Sequence, residues 1–442
     1  MNAKGNFSSN WHKIKLVSIS IFAFLLLSLQ TNAANMEKSI YYVSENGNDL
    51  NDGSLENPWK TIQKAADTLM PGESVYVRDG IYSEFVHITN SGSKDEGYIS
   101  FKAFPGEFPI IDGKKLALTS GELALFYLEN ASYIKIDGFE LRNLGTNHSD
   151  EYPAGILVRD GGSNIHLLNN DVHHIKNGNK KGNAHGILFY GNSSQKMSDI
   201  TIENNNIHHL TLGNSEALTL NGNIDGFTIS QNKIHHNNNI GIDVAGFYGA
   251  CESNCLDQVR NGTISNNEVY NNSSGKNPAY EGSHAAAGIY ADGSTEIVIE
   301  KNLIYNNDFG IELASENNGK QTSYITAKNN IIFNNNGAGI IIGGASVYNG
   351  GAYKNLLTNN ILYFNDQKKE GYGEITLQSN TSENQFINNE IYSKTKNDYI
   401  QRNDLKERSN IFINNRIYSF TKKPSLVEKI KTKIKNLFDK SE

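Results

Sequence analysis

"IEKNLIYNNDFGIELAS" runs from Ile299 to Ser315, and "AKNNIIFNNNGAGIIIGG" from Ala327 to Gly344. Both carry the pattern I-x-x-N-x-I-x-x-N (with Ala for the first Ile in the second copy), followed by G-I and an apolar residue. Aligned copies put an asparagine at Asn170, Asn205, Asn232, Asn267, Asn302, Asn330, Asn360, Asn389 and Asn415, spaced 26 to 35 residues apart. A period in that range marks a stacked-repeat architecture. Each repeat consists of short β-branched segments broken by Asn and Gly, so it reads as strands and turns. One repeat cannot bury its own apolar residues, whereas stacking buries a continuous core. The predicted fold is all-β: a right-handed parallel β-helix in one solenoid.

The repeated asparagine falls at a turn and recurs whatever its neighbours, which predicts a structural column of side chains bonded along the axis. The doublets His173-His174, His208-His209 and His235-His236 follow that asparagine at one repeat position. They come with no carboxylate at a fixed offset, so a solvated or stacking role is expected ahead of metal binding.

The ends differ from the repeats. Lys4, Lys13 and Lys15 precede an apolar run from Leu16 to about Leu29, and Thr31-Asn32-Ala33-Ala34 supplies small residues for cleavage. Residues 1–34 read as a secretion signal, with no membrane span left after its removal. The chain carries a formal charge of −7, and loss of the leader's lysines makes the remainder more acidic still, which argues against nucleic acid as partner. Export permits the only two cysteines, Cys251 and Cys255, to form a local disulfide. At the other end Ser425 and Glu428 make a capping box, and Leu426, Ile430, Ile434 and Leu437 share one helical face. An amphipathic helix is predicted over 421–442.

Residues 35–84 read as an N-terminal strand and helix. A strand begins at Tyr41, a helix carries Ile62, Ala65, Ala66 and Leu69 on its apolar side, and Pro71-Gly72 stops it. A solenoid needs its open apolar end covered, and this helix is the expected cap. The β-helix proper is then expected over 85–420. The stretch "YYVSENGNDLNDGSLENPWKTIQKAADTLMPGESVYVRDGIY", residues 41–82, resembles the opening of secreted right-handed β-helix proteins similar to polysaccharide lyase family 9. The resemblance implies a secreted, carbohydrate-active protein, with a calcium site of several aspartates and a lysine that takes the proton beside a uronate carboxylate. This chain has no matching run of paired aspartates, and no lysine at an outward position of its G-I strands. Lys320, just past "GIELASEN", is the nearest candidate base.

Function is expected on the outward columns, since fold alone does not specify it. Side chains alternate across a strand. In the strands 155–159, 186–190, 217–221, 241–245, 288–292, 310–314, 339–343 and 374–378 the second and fourth positions are apolar and face the core. The third and fifth face out. Those columns are bland at both ends but hold Asp243, Tyr290, Asp292 and Glu312 on three successive coils, with Glu316 just beyond. Neighbouring rungs lie about 4.8 Å apart. Asp243 and Glu312 are then about 10 Å apart, with Asp292 about 8 Å from each. Inverting glycosidases hold their two carboxyls about 6.5–9.5 Å apart. Asp243, Asp292 and Glu312 are the predicted catalytic carboxylates, projecting into one solvent-filled trough. Tyr290, Glu316, Arg159, Tyr190 and His284 are the predicted substrate contacts. The same three carboxylates are the predicted ligands if the protein depends on Ca²⁺. His185 and Glu216 precede neighbouring strands and are expected to pair, structurally or as an acid/base couple.

Three lengthened, tyrosine-bearing loops flank these strands, as binding clefts on rigid scaffolds require. The expected function is action on an extracellular polysaccharide by a secreted monomer. Cleavage as a lyase is the leading expectation, with an inverting hydrolase using the carboxylate cluster and a non-catalytic glycan-binding or surface protein as the alternatives.

Overall fold

The computed structural model describes residues 39–251, 254–393, 400–402 and 409–419. The predicted signal and C-terminal helix lie outside the described residues. From Ile40 onward the chain winds through three long parallel sheets, of 16, 12 and 11 strands among the described residues, each rung pairing with the next coil. A parallel β-helix is the result. Ile40–Val43 and Ser74–Val77 are already rungs of the 16-stranded sheet, so the coil stack begins ahead of residue 85. Between them the helix Ile62–Thr68, N-capped by Thr61, turns Ile62, Ala65 and Ala66 inward to join the core.

The G-I motif follows from how closely the rungs stack. A Cβ on Gly310 would sit 2.2 Å from the Gly339 carbonyl oxygen, and one on Gly241 2.6 Å from that of Gly288. Only glycine admits the neighbouring backbone there. The residues that follow alternate as expected: Ile242 and Val244, Ile289 and Ala291, Ile311 and Leu313 all enter the core with no exposed surface. Burying each large aliphatic side chain stabilises the fold by about 1.5–3 kcal/mol.

The asparagine column is continuous. Asn170 Nδ2 donates to Asn205 Oδ1, Asn205 to Asn232, Asn232 to Asn267, and Asn267 to Asn302, each at 3.0 Å. It continues through Asn330, Asn360 and Asn389 to Asn415. Its members also donate to core-facing carbonyls, as Asn267 does to Ile229. The residue before each one, Asn204 or Asn266 for example, takes a positive φ near 56°. Asparagine tolerates that left-handed turn, which accounts for the Asn-Asn doublets. A second ladder, Asn237, Asn272, Asn307, Asn335 and Asn365, runs from the last asparagine of the motif and ends on the buried Glu374 carboxylate.

The histidine doublets stack as rings. His173, His208, His235, Tyr270, Tyr305 and Phe333 form one column with centroids 4.7–5.0 Å apart. No carboxylate recurs at a fixed offset, as expected, yet two of the doublets do have one. His173 Nε2 lies 3.2 Å from Glu140, and His208 Nε2 3.0 Å from Asp171. Each carboxylate sits one coil earlier, so its sequence offset is a coil length and varies with the coil.

Candidate active site

The 11-stranded sheet carries the acidic strands Ile242–Ala245, Ala287–Asp292 and Phe309–Ala314 side by side. Their register puts Thr219, Asp243, Tyr290 and Glu312 in one column, and Asn221, Ala245, Asp292 and Ala314 in the next. Asp243 and Asp292 thus sit one rung and two residues apart, about 8 Å between Cα atoms. Both point away from the apolar core.

The trough is covered where solvent was expected to fill it. Asp243 is 5% exposed, Tyr290 5% and Asp292 2%. The covering comes partly from the loop after Ala245. Gly246 pairs antiparallel with Gln258, and Cys251 bonds to Cys255 at the loop's outer part. This hairpin carries Tyr248, whose hydroxyl donates to Asp292 Oδ2. The Glu316 backbone N–H donates to Asp292 Oδ1 at 3.2 Å. Beneath the cover lies a cleft of about 510 Å³, lined by Glu216, Asp243, Asp292, Glu316 and Glu122 with Tyr190, Tyr248, Tyr280 and Tyr290. Among the described residues no lysine or arginine lines it. That volume falls within the range of small-ligand sites.

Burial sets the protonation of this cluster. It raises Asp243 well above the carboxylate range, with Glu216 and Asp292 adding like-charge repulsion. Burial lifts Asp292 to about 8 against the opposing hydrogen bond from Tyr248. Burial likewise brings Glu216 to about 7 and Glu312 to about 8. Like charges in a poorly hydrated space cannot all ionise together, so the cluster retains protons near neutral pH.

Other expected contacts fall elsewhere. Glu312 is flanked in register by Tyr290 and Ile341, members of a small apolar cluster with Phe309 and Tyr372, and it does not line the cleft. Tyr290 fills the rung between it and Asp243. Arg159 is committed to Glu122 and Asp160, with its guanidinium 5.9 Å from the Tyr190 ring centroid. His284 Nδ1 sits 2.8 Å from Asp308, which also accepts from Ser273, the Ser274 backbone and Ala286, so the imidazole serves its own loop. The Lys320 ammonium lies over the Phe247 ring at 4.9 Å, outside the cleft lining. His185 and Glu216 are joined through Thr219, whose hydroxyl donates to Glu216 (3.0 Å) and lies 3.1 Å from His185 Nδ1. Burial drives His185 down to about 4, so that imidazole is neutral at pH 7. Tyr248 was not among the expected contacts, because it belongs to a loop whose return path no strand pattern reveals.

Ca²⁺ takes six to eight oxygen ligands. Among the described residues no three His, Cys, Asp or Glu side chains converge closely enough to hold an ion, and both Asp292 oxygens accept hydrogen bonds already. The residues do not fit the group.

Three stacked parallel sheets around an asparagine-laddered core, with a covered acidic cleft on one sheet, define a parallel β-helix protein. A family model described as "Pel9A-like, right handed beta helix region" matches residues 41–258. The uncharacterized protein YwoF of Bacillus subtilis (strain 168) is 38% identical over 381 residues, 86% of this chain and 80% of that one. The chain belongs to the Pel9A-like right-handed β-helix family. A pectate lyase, PEL9 of Emericella nidulans, is 30% identical over 156 residues, 33% of this chain and 35% of its own. Among solved structures, a GH136 lacto-N-biosidase from Eubacterium ramulus superposes with a TM-score of 0.61 at 15% identity, over 91% of this chain and 71% of that one. At that identity the likeness is one of fold.

Proposed function

We propose that this protein is an exported glycan-cleaving enzyme that hydrolyses a glycosidic bond with Asp243 and Asp292 as its acid/base pair. The observation that carries the reading is their placement: two aspartates one rung and two residues apart, with Cα atoms about 8 Å apart, both buried in a cleft that no lysine or arginine lines among the described residues. Such a spacing admits a water between the acid and the base. Asp292 receives two hydrogen bonds that favour its charged form, so of the pair it ionises first and acts as base on that water. Asp243 Oδ1 has no donor among the described residues, and Asp243 keeps the proton that the leaving oxygen takes up. The tyrosines supply faces on which sugar rings can rest. Export is supported by the leader-like residues 1–34.

The segment similar to pectate lyase PEL9 favours a second reading, β-elimination on a uronate polymer. That chemistry needs positive charge beside the uronate carboxylate, and the cleft lining offers five carboxylates instead. One assay separates the two. Release of reducing ends without absorbance from unsaturated uronate products supports hydrolysis. Appearance of that absorbance replaces hydrolysis with elimination, and full turnover by Asp292→Asn removes the carboxylate pair from either reaction.

A further inference from the structure

We infer that the cleft selects an amino-sugar glycan bearing free primary amines, and receives one ammonium between Glu216 and Asp243. The inference rests on the hydrolase reading for its location and adds the substrate's chemistry.

Two independent observations point to a bound cation. The first is charge. Glu122, Glu216, Asp243, Asp292 and Glu316 line one cleft, and the neighbouring guanidinium, Arg159, is already held by Glu122 and Asp160. The neutral His185 adds no positive charge. A polyuronate would bring further negative charge into a water-poor space, where repulsion is poorly screened. The second is an unmet hydrogen bond. Asp243 Oδ1 is buried, lines the cleft and has no hydrogen-bond partner among the described residues. The Asn221 Oδ1, on the adjoining rung and column, is likewise without a partner. Buried acceptors without donors are rare, because each costs about 1–3 kcal/mol. Asn221 Oδ1 can only accept, and Asp243 Oδ1 accepts when the carboxyl proton sits on Oδ2, so the missing group is a donor.

An ammonium meets both conditions. It has three donors and one positive charge, and the tyrosine ring faces around the cleft add cation–π attraction. N-acetylation removes the charge and enlarges the group, so the acetylated sugar loses both advantages. The cation also serves the reaction. Burial and repulsion make Asp243 a weaker acid than turnover near neutral pH favours. A positive charge beside it makes its proton easier to transfer, which brings it closer to the operating pH. The carbonyl oxygen Oδ1 accepts from the ammonium while the hydroxyl of the same carboxyl donates to the glycosidic oxygen. Substrate amine and catalytic acid therefore act on one side chain.

The test is calorimetric titration of the full chain with glucosamine hexamer, N-acetylglucosamine hexamer, cellohexaose and hexagalacturonate at low salt, alongside reducing-end assays on each. The expected result is at least ten-fold tighter binding of the glucosamine hexamer than of any other. Glu216→Gln is expected to cut that preference to three-fold or less, and so is 0.5 M salt in the wild type. Equal or tighter binding of the acetylated, neutral or uronate oligomer overturns the inference, as does an unchanged preference in Glu216→Gln that melts like wild type. Cleavage of the neutral hexamer without amine preference leaves the hydrolase reading standing alone. Amine-selective binding with no cleavage of any oligomer leaves the inference standing and removes the hydrolase.

Discussion

Tyr248 reaches across from a disulfide-closed hairpin to donate its hydroxyl hydrogen to Asp292 Oδ2. The contact joins a loop residue to a rung residue 44 positions away. It also biases the carboxylate, since the bond lowers the Asp292 pKa against the rise caused by burial. Tyr248→Phe removes the bond and leaves the ring. Hydrogen bonds to charged groups contribute about 1.5–3 kcal/mol. At about 1.4 kcal/mol per factor of ten, kcat/KM is expected to fall roughly ten- to hundred-fold. The acidic limb of the pH–rate profile should move to higher pH, because the base now holds its proton more tightly. An unmoved limb in a folded variant removes Asp292 as the base.

The acidic cluster should cost stability in a defined pH window. Burial raises Glu312 to about 8, from the 4.5 of an ordinary glutamate. Between those values the folded chain holds a proton that the unfolded chain releases. Stability contributed by that proton is complete below about 4.5, declines as pH rises, and is gone above about 8. Glu312→Gln keeps the shape and removes the titration. The variant is expected to melt several degrees above wild type at pH 8.5 and at nearly the same temperature at pH 4.5. Melting curves at the two pH values decide it, and an equal gap at both would contradict the assignment.

Register was legible in the sequence because three signals agreed. The G-I pairs, the alternation after them and the asparagine spacing all point to one rung alignment, which is how Asp243, Tyr290 and Glu312 could be placed in one column. Cover was not legible. Whether a rung residue meets water depends on loops such as 246–258, whose path is set by contacts like Gly246 with Gln258 and Gln258 Nε2 with the Gly293 carbonyl. These contacts join residues with no periodic relation. The place of Glu312 outside the cleft lining was hidden for a similar reason: the apolar cluster beside it, with Phe309 against Tyr372, comes together only after folding. Partners one coil away, such as Asp171 for His208, escape any fixed-offset search because coils differ in length.

The disulfide should matter to the site and little to the solenoid. Cys251 and Cys255 enclose a short loop, so the chain entropy they remove is small, about 2 kcal/mol in the loop-closure account. The rungs on either side are held by their own ladders. Replacing both cysteines by serine frees the hairpin that presents Tyr248. Activity is expected to fall several-fold while the main thermal transition shifts by no more than a few degrees. Thiol titration with and without reductant confirms the bond's state. A variant that loses the main transition would make the bond a folding element instead.

The Asn266-Asn267 doublet separates two roles that one residue type fills. Asn266 has φ +57° and turns the chain, while Asn267 is wholly buried in the ladder. Glycine adopts a positive φ without strain, so Asn266→Gly should change stability by less than about 0.5 kcal/mol. Asn267 Oδ1 accepts from the Asn232 backbone N–H and Nδ2, and its own Nδ2 donates to Ile229 and Asn302. Asn267→Ala leaves two buried donors and a carbonyl without partners. Each orphaned group costs about 1–3 kcal/mol, so a loss of about 3 kcal/mol or more is expected. Asn267→Asp restores the acceptor but loses both donors and buries a charge beside the Ile229 carbonyl and Asn302 Oδ1. It should be no better than alanine and should recover as pH falls and the carboxyl protonates. Urea denaturation of the three variants measures this order, and an Asn267→Ala cost no larger than that of Asn266→Gly would mean that the backbone sheets alone hold the rungs together.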